Sequence, residues 1–188
     1  MSKPIHLAIF ASGSGTNAEN LARYFQKHEA IQVTKILSNK EDAFVHQRAK
    51  NVGVPSSSFS RADFKDLAFL EKLEGIDCIV LAGFLWLIPT YLIEAFPEKI
   101  INIHPSLLPK FGGKGMYGSR VHEAVIESNE KESGITIHLV NEEYDKGRVL
   151  FQAKCSVEED DTPDALAKKI HQLEYEHFPK VIEEYVLS

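Results

Sequence analysis

Short apolar runs separated by amphipathic stretches of about ten residues set the rhythm of the chain up to His104. Ile5 to Phe10, Val33 to Leu37, Cys78 to Ala82 and Ile100 to His104 read as strands, with a short one near Val54. Between them the periodicity predicts helices from about Thr16 to Lys27, Asp42 to Asn51, Ala62 to Leu73 and Thr90 to Phe96. Strands that alternate with helices in this way imply right-handed βαβ crossovers and a parallel sheet. After His104 the rhythm changes. The glycine-rich segment Gly112 to Gly118 precedes a helix near Val121 to Glu127, and two strand-like runs follow, Ile135 to Val140 and Val149 to Val157. Their connection, Asn141 to Arg148, reads as a hairpin that adds antiparallel edge strands. Thr162 as N-cap, with Pro163 at the first helical position, opens a long terminal helix.

The pattern therefore predicts an α/β fold: a Rossmann-like, mostly parallel twisted sheet with helices on both faces, and antiparallel strands in the C-terminal half. With 188 residues and 44% hydrophobic composition, positions 1–188 suit a single domain. Cys78 and Cys155 lie in separate apolar strands, which points to packed thiols and a reducing, cytoplasmic setting rather than a disulfide framework. Met1-Ser2-Lys3-Pro4 and the apolar run after it lack a signal-peptide cleavage pattern. The longest apolar run, Cys78 to Ile88, contains a glycine and is far below the roughly 20 residues needed to span a bilayer. A net charge of −6 with no basic stripe argues against nucleic acid as a partner. A small phosphorylated ligand is compatible with that charge, because local amide dipoles can hold it.

Candidate chemistry concentrates where strands end. Asn102 and His104 leave the same face of a strand that stops at Pro105, so an amide donor and an imidazole share the sheet's carboxyl edge, where ligands of open α/β sheets bind. Pro105 should leave His104 where the sheet opens to solvent. Ala11-Ser12-Gly13-Ser14-Gly15-Thr16-Asn17 follows the first strand and opens the first helix, an anion-binding turn. Ala18 stands where a dinucleotide fingerprint has its third glycine, and the second strand ends Leu37-Ser38-Asn39 with no acid for a ribose diol. No Gly-Lys-Ser/Thr triplet follows either, so the turn suits one phosphate rather than NAD or a nucleoside triphosphate.

Gly13 to Asn17, Ser38-Asn39-Lys40, Leu81-Ala82-Gly83-Phe84, Asn102-Ile103-His104-Pro105-Ser106-Leu107-Leu108-Pro109, Gly134 to His138, and Asp145 with Gly147 together resemble the phosphoribosylglycinamide formyltransferase family of folate-dependent enzymes. The match runs in order over essentially the whole chain, without the extra terminal domains of methionyl-tRNA formyltransferase or formyltetrahydrofolate hydrolase. The resemblance implies transfer of a formyl group from 10-formyltetrahydrofolate, as co-substrate, to the amino group of 5-phosphoribosylglycinamide in purine biosynthesis. It implies a phosphate-binding half, 1–100, and a catalytic and folate-binding half, 101–188. Carried over by position, Gly15, Thr16 and Asn17 would hold the phosphate, and His171, Gln172, Leu173 and Glu174 the sugar and glycinamide end. Leu85, Trp86, Leu87 and Ile88, together with Asn102, Asn141, Glu142, Glu143, Tyr144 and Asp145, would line the folate pocket, with Arg61 at the folate tail. Trp86, Lys146 and Arg148 depart from the family's usual residues. The resemblance leaves monomer or homodimer open.

Formyl transfer needs an oxyanion stabilised and protons moved, and it needs no covalent nucleophile; no G-x-S-x-G elbow occurs. Asn102 and a protonated His104 can donate to the oxyanion. Asp145 is the natural partner of His104, and a carboxylate there is expected to raise the imidazole pKa. His122-Glu123 fails as a zinc motif because Ile126 replaces its second histidine, which leaves an exposed helix start. His177 lies off the face shared by His171 and Glu174, so no metal is expected there. His138, opposite Ile135, Ile137 and Leu139, serves packing or supports the site, and Glu158 to Asp161 reads as a solvated turn. Hydrolysis of the same folate and a non-catalytic phosphate-binding or nucleotide-binding module are the rival readings.

Overall fold

The computed structural model describes residues 3–188, so Met1-Ser2 lies outside the described residues. Seven strands form one sheet: β1 (Ile5–Phe10), β2 (Ile31–Ser38), β3 (Ser56–Ser58), β4 (Cys78–Leu81), β5 (Ile100–His104), β6 (Glu132–Leu139) and β7 (Val149–Ser156). Their order is β3-β2-β1-β4-β5-β6-β7. The strands from β3 through β5 pair in parallel, and β6 and β7 are antiparallel to their neighbours. The chain winds outward from β1 in one direction and, from β4, in the other. The crevice outside the carboxyl ends of β1 and β4 is thus the topological switch point, where such sheets accept ligands.

Both faces are covered, which is why β4 and Leu7 to Phe10 of β1 read as unbroken apolar runs. Leu7, Ile9, Cys78, Val80, Ile101 and Ile103 pack beneath α1 (Thr16–Phe25), α2 (Val45–Asn51) and α6 (Pro163–Leu187), and Val125 of α5 (Ser119–Glu127) joins this layer. Ala8, Phe10, Ile79, Leu81 and Ile100 face α3 (Arg61–Lys65), the 3-10 helix Leu67–Leu73 and α4 (Thr90–Ala95). Each fully buried Leu, Ile or Phe contributes about 1.5–3 kcal/mol. Thr162 caps α6 as expected, its side chain accepting from the Ala165 amide 3.1 Å away.

Three expectations shift. The helix expected over Ala62 to Leu73 is broken at Asp66, whose extended backbone (ψ 135°) ends α3 while its carboxylate caps the 3-10 helix at Ala68 N. The helix expected from Asp42 starts at Val45, because the Val45 amide is committed to Gly13 O at 3.2 Å. The hairpin adds one edge strand, not two: β6 lies between β5 and β7, and of this pair β7 alone has an open side. Both cysteines are free, Cys78 buried and Cys155 half-buried.

Candidate active site

At the switch point, the loops after β1, β4 and β5 and the segment between β6 and β7 enclose a cleft of about 650 Å³. One end is built on the glycine turn. The Ser12 amide donates to Gly83 O and its hydroxyl accepts from the Leu85 amide, both at 3.0 Å, which ties the ends of β1 and β4 together. Gly15 precedes α1 with φ +75°, and a Cβ there would lie 2.3 Å from the Val45 side chain, so α2 can approach only a glycine. Arg48 of α2 donates to Ser14 O at 2.8 Å and pairs with Glu19. The turn is therefore held from outside, and the first N–H groups of α1, which lack intrahelical acceptors, remain for an anion. Lys40 and Lys114 also line this cleft and supply positive charge.

Glu174, from α6, comes down on the same end. Asn17 Nδ2 donates to Glu174 Oε2 at 2.8 Å, and burial pushes the Glu174 carboxyl up to about 7, against the lowering effect of that bond. Asn17 Oδ1 and His122 Nδ1 are buried beside the cleft with no partner, so both have unspent hydrogen-bonding capacity.

The middle of the cleft holds the polar cluster. Strand register sets His104 opposite Thr136 and Asn102 opposite His138. His138 Nδ1 lies 2.8 Å from Leu139 O, which can only accept, so Nδ1 carries the proton and the Nε2 lone pair accepts from Asn102 Nδ2 at 3.1 Å. The second N–H of that amide is left for the cleft, which Asn102 lines. By the same logic His104 Nε2–H donates to Phe111 O at 2.8 Å, leaving Nδ1 facing Asp145 Oδ2 at 3.5 Å. Asp145 also stands 3.6 Å from His138 Nε2 and accepts from the Gly113 amide at 2.9 Å. Burial alone would raise the Asp145 carboxyl, but His138 and His104, once protonated in the acid range where a carboxylate titrates, and the Gly113 amide together hold it below the usual carboxylate range. His104 behaves oppositely to expectation. Only 4% exposed, it loses more by leaving water than Asp145 returns, so its pKa lies below that of a free histidine. The loop Pro105 to Phe111 covers it where an opening to solvent was expected.

The far end is apolar. Leu85, Trp86, Leu87, Ile88 and Val140 line it, with Asn141, Glu143 and Tyr144 at the rim. Trp86 stacks into a ring cluster with Phe59, Phe64 and Phe84, centroids 5.8–6.2 Å apart.

The cleft brings together Gly15, Thr16, Asn17, His171, Glu174, Leu85, Trp86, Leu87, Ile88, Asn102, His104, Asn141, Glu143, Tyr144 and Asp145. Four residues fall outside its lining. Leu173 packs into the core and Gln172 is exposed, because neighbours on a helix point about 100° apart and only His171 and Glu174 share the cleft face. Glu142 is exposed beside the rim. Arg61 stands over the Trp86 ring, guanidinium carbon 4.6 Å from its centroid, and reaches the cleft only through that ring. Of the two readings of His138 the structure favours site support, since it joins the polar cluster, whereas His122, expected at an exposed helix start, is 5% exposed and lines the cleft. The apolar spacing of Val121 and Val125 was the available signal for His122, since a neighbour of both lies at the edge of the buried face. Among the described residues no group of three or more His, Cys, Asp or Glu side chains could hold a metal ion, and no helix is long and apolar enough to cross a membrane.

At the switch point of a parallel sheet, the cleft thus joins a helix start with free N–H groups, an Asn-His-Asp cluster and an apolar end. Residues 5–182 match the formyl transferase family, and the chain belongs to it. Among its relatives are phosphoribosylglycinamide formyltransferases. The one from Bacillus subtilis is 34% identical over 185 residues, covering 94% of this chain and 92% of the relative. The chloroplastic one from Arabidopsis thaliana is 40% identical over 191 residues, 94% of this chain. The chain spans 63% and 59% of the length of the two plant relatives it matches. The crystal structure of the Bacillus halodurans phosphoribosylglycinamide formyltransferase superposes with a TM-score of 0.87 at 33% identity, covering 96% of this chain and 95% of that one.

Proposed function

We propose that the protein transfers a formyl group from 10-formyltetrahydrofolate to the amino group of 5-phosphoribosylglycinamide, a step of purine biosynthesis, as a single domain over 1–188. The observation that carries this reading is the convergence of His104, Asn102 and Asp145 between an anion-binding turn and an apolar, aromatic-backed pocket. Gly15, Thr16 and Asn17 take the phosphate, and His171 and Glu174 the sugar and glycinamide end. Leu85 to Ile88, with Asn141, Glu143, Tyr144 and Asp145, receive the flat pterin, and Arg61 meets the tail past Trp86.

In this mechanism the free N–H of Asn102 donates to the oxyanion that develops on the formyl carbonyl, a contribution of about 3 kcal/mol for a well-placed donor. Neutral His104 takes a proton from the attacking amine at Nδ1, and the resulting imidazolium is held by Asp145 until the proton passes to the leaving nitrogen. The free thiols suit the reducing cytoplasm, and the net charge of −6 speaks against nucleic acid as partner. Monomer and homodimer both suit a cleft that one chain completes.

The test is an assay with 10-formyltetrahydrofolate in the presence and absence of 5-phosphoribosylglycinamide. Turnover that requires the amine and yields its formyl derivative is expected. Equal turnover without it would make the protein a hydrolase, and absence of pterin binding by Trp86 fluorescence would leave only a phosphate-binding module.

A further inference from the structure

Thr136 lies directly across the β5–β6 pairing from His104, buried with no exposed surface and outside the cleft lining. Its hydroxyl is fully used. It donates to Ser106 O at 2.7 Å and accepts from the Leu108 amide at 3.0 Å and from Gln152 Nε2 at 2.9 Å, which is the complete complement of one donor and two lone pairs. Gln152, from β7, donates a second time to Leu108 O at 3.1 Å, and Ser106 Oγ donates to Lys110 O at 2.7 Å. Four of these five bonds involve the loop Pro105 to Phe111, and the fifth ties Gln152 to Thr136. That loop ends at Phe111, held at φ +54°, whose carbonyl receives His104 Nε2–H.

Resting on the formyl-transfer reading, we infer that Thr136, supported by Gln152, is a positioning residue that fixes the tautomer of His104. By clamping the loop it sets the Phe111 carbonyl where it captures Nε2–H, so that Nδ1 is the basic nitrogen facing Asp145 and the cleft. A loosened loop would let the carbonyl drift, and the ring would then populate the Nδ1–H tautomer with Asp145 as acceptor. In that form the nitrogen facing the reacting amine already carries a proton and cannot take another.

The experiment compares Thr136→Val, which keeps the shape and removes the hydroxyl, with Thr136→Ser, which keeps the hydroxyl, in the full chain. Nitrogen-15 imidazole spectra report the His104 tautomer, and steady-state rates report kcat and KM. Thr136→Val is expected to show the Nδ1–H tautomer at His104 and to lower kcat about tenfold to a hundredfold, with both KM values within about twofold; Thr136→Ser should restore the Nε2–H form and the rate. Gln152→Leu, at the sheet edge, should produce the same change in smaller degree, and it carries the test if Thr136→Val does not fold. An unchanged His104 spectrum in whichever of Thr136→Val and Gln152→Leu folds overturns the inference, whatever happens to the rate. Because the spectrum needs no substrate, a wild-type protein inactive in formyl transfer would refute the function while leaving this test intact.

Discussion

At His104 two effects of opposite sign meet: removal of the ring from water disfavours the imidazolium, and Asp145 Oδ2 at 3.5 Å favours it. Burial wins, so the ring is neutral at pH 7 and able to take a proton, and the acid limb of the pH–rate profile should fall below pH 6.5. In Asp145→Asn the raising influence is lost, so that limb should move to still lower pH while the plateau drops about a hundredfold to ten-thousandfold. A pH profile of kcat/KM checks this, and an upward move of the limb would contradict it. Stability follows the same sign. His104, His122 and His171 all have pKa values lowered by burial, so the unfolded chain binds protons more readily and the fold loses stability as pH falls below 6.5. Asn102 and His104 were legible from strand alternation. The direction of the His104 shift was not, because desolvation depends on the Pro105 to Phe111 loop folding back over the ring, which no periodicity encodes.

Element geometry limits what the antiparallel half tolerates. A Cβ on Gly134 of β6 would lie 1.9 Å from Ala153 O of β7, a backbone atom with no freedom to retreat. Gly134→Ala should therefore cost about 1–3 kcal/mol or more, seen as a lower urea midpoint with an unchanged slope. Because β6 also carries Thr136 and His138, the variant should lose activity before it unfolds. A stability change within about 0.5 kcal/mol would show that the β6–β7 pairing can shift to make room. Some helix starts were legible from a cap, as at Thr162, though the cap at Asp66 passed as helix interior. Others were misjudged where a tertiary bond decided, as at Val45, whose amide the glycine turn claims.

Across the whole molecule, Asn17 at the start of α1 meets Glu174 near the middle of α6, joining the two halves of the chain through one buried bond of 2.8 Å. Burial raises the Glu174 pKa from 4.5 to about 7. The folded state then holds a proton that the unfolded chain has released, so this contribution is fully present below pH 4.5 and is lost as pH rises through about 7. Glu174→Gln keeps an acceptor for Asn17 and removes the titration. It should melt higher than wild type at pH 8, by up to about 3 kcal/mol, and equal it at pH 4, while binding the phosphorylated amine more weakly. Equal melting of the two at pH 8 would mean that Glu174 ionises without penalty.

Hydrophobic spacing by itself determined the α/β alternation, the parallel sheet with its antiparallel end and the strand terminus bearing Asn102 and His104, because periodicity and proline punctuation are local physics. Resemblance placed Asp145 beside His104. Tertiary structure alone decided that His104 is covered, that His122 and His138 join the cleft, that Gln172 and Leu173 do not, and that Thr136 governs a loop it follows by about 30 residues in sequence. Those outcomes depend on which surfaces water leaves and which carbonyls end within hydrogen-bond reach, and both are properties of packed neighbours rather than of any stretch of chain.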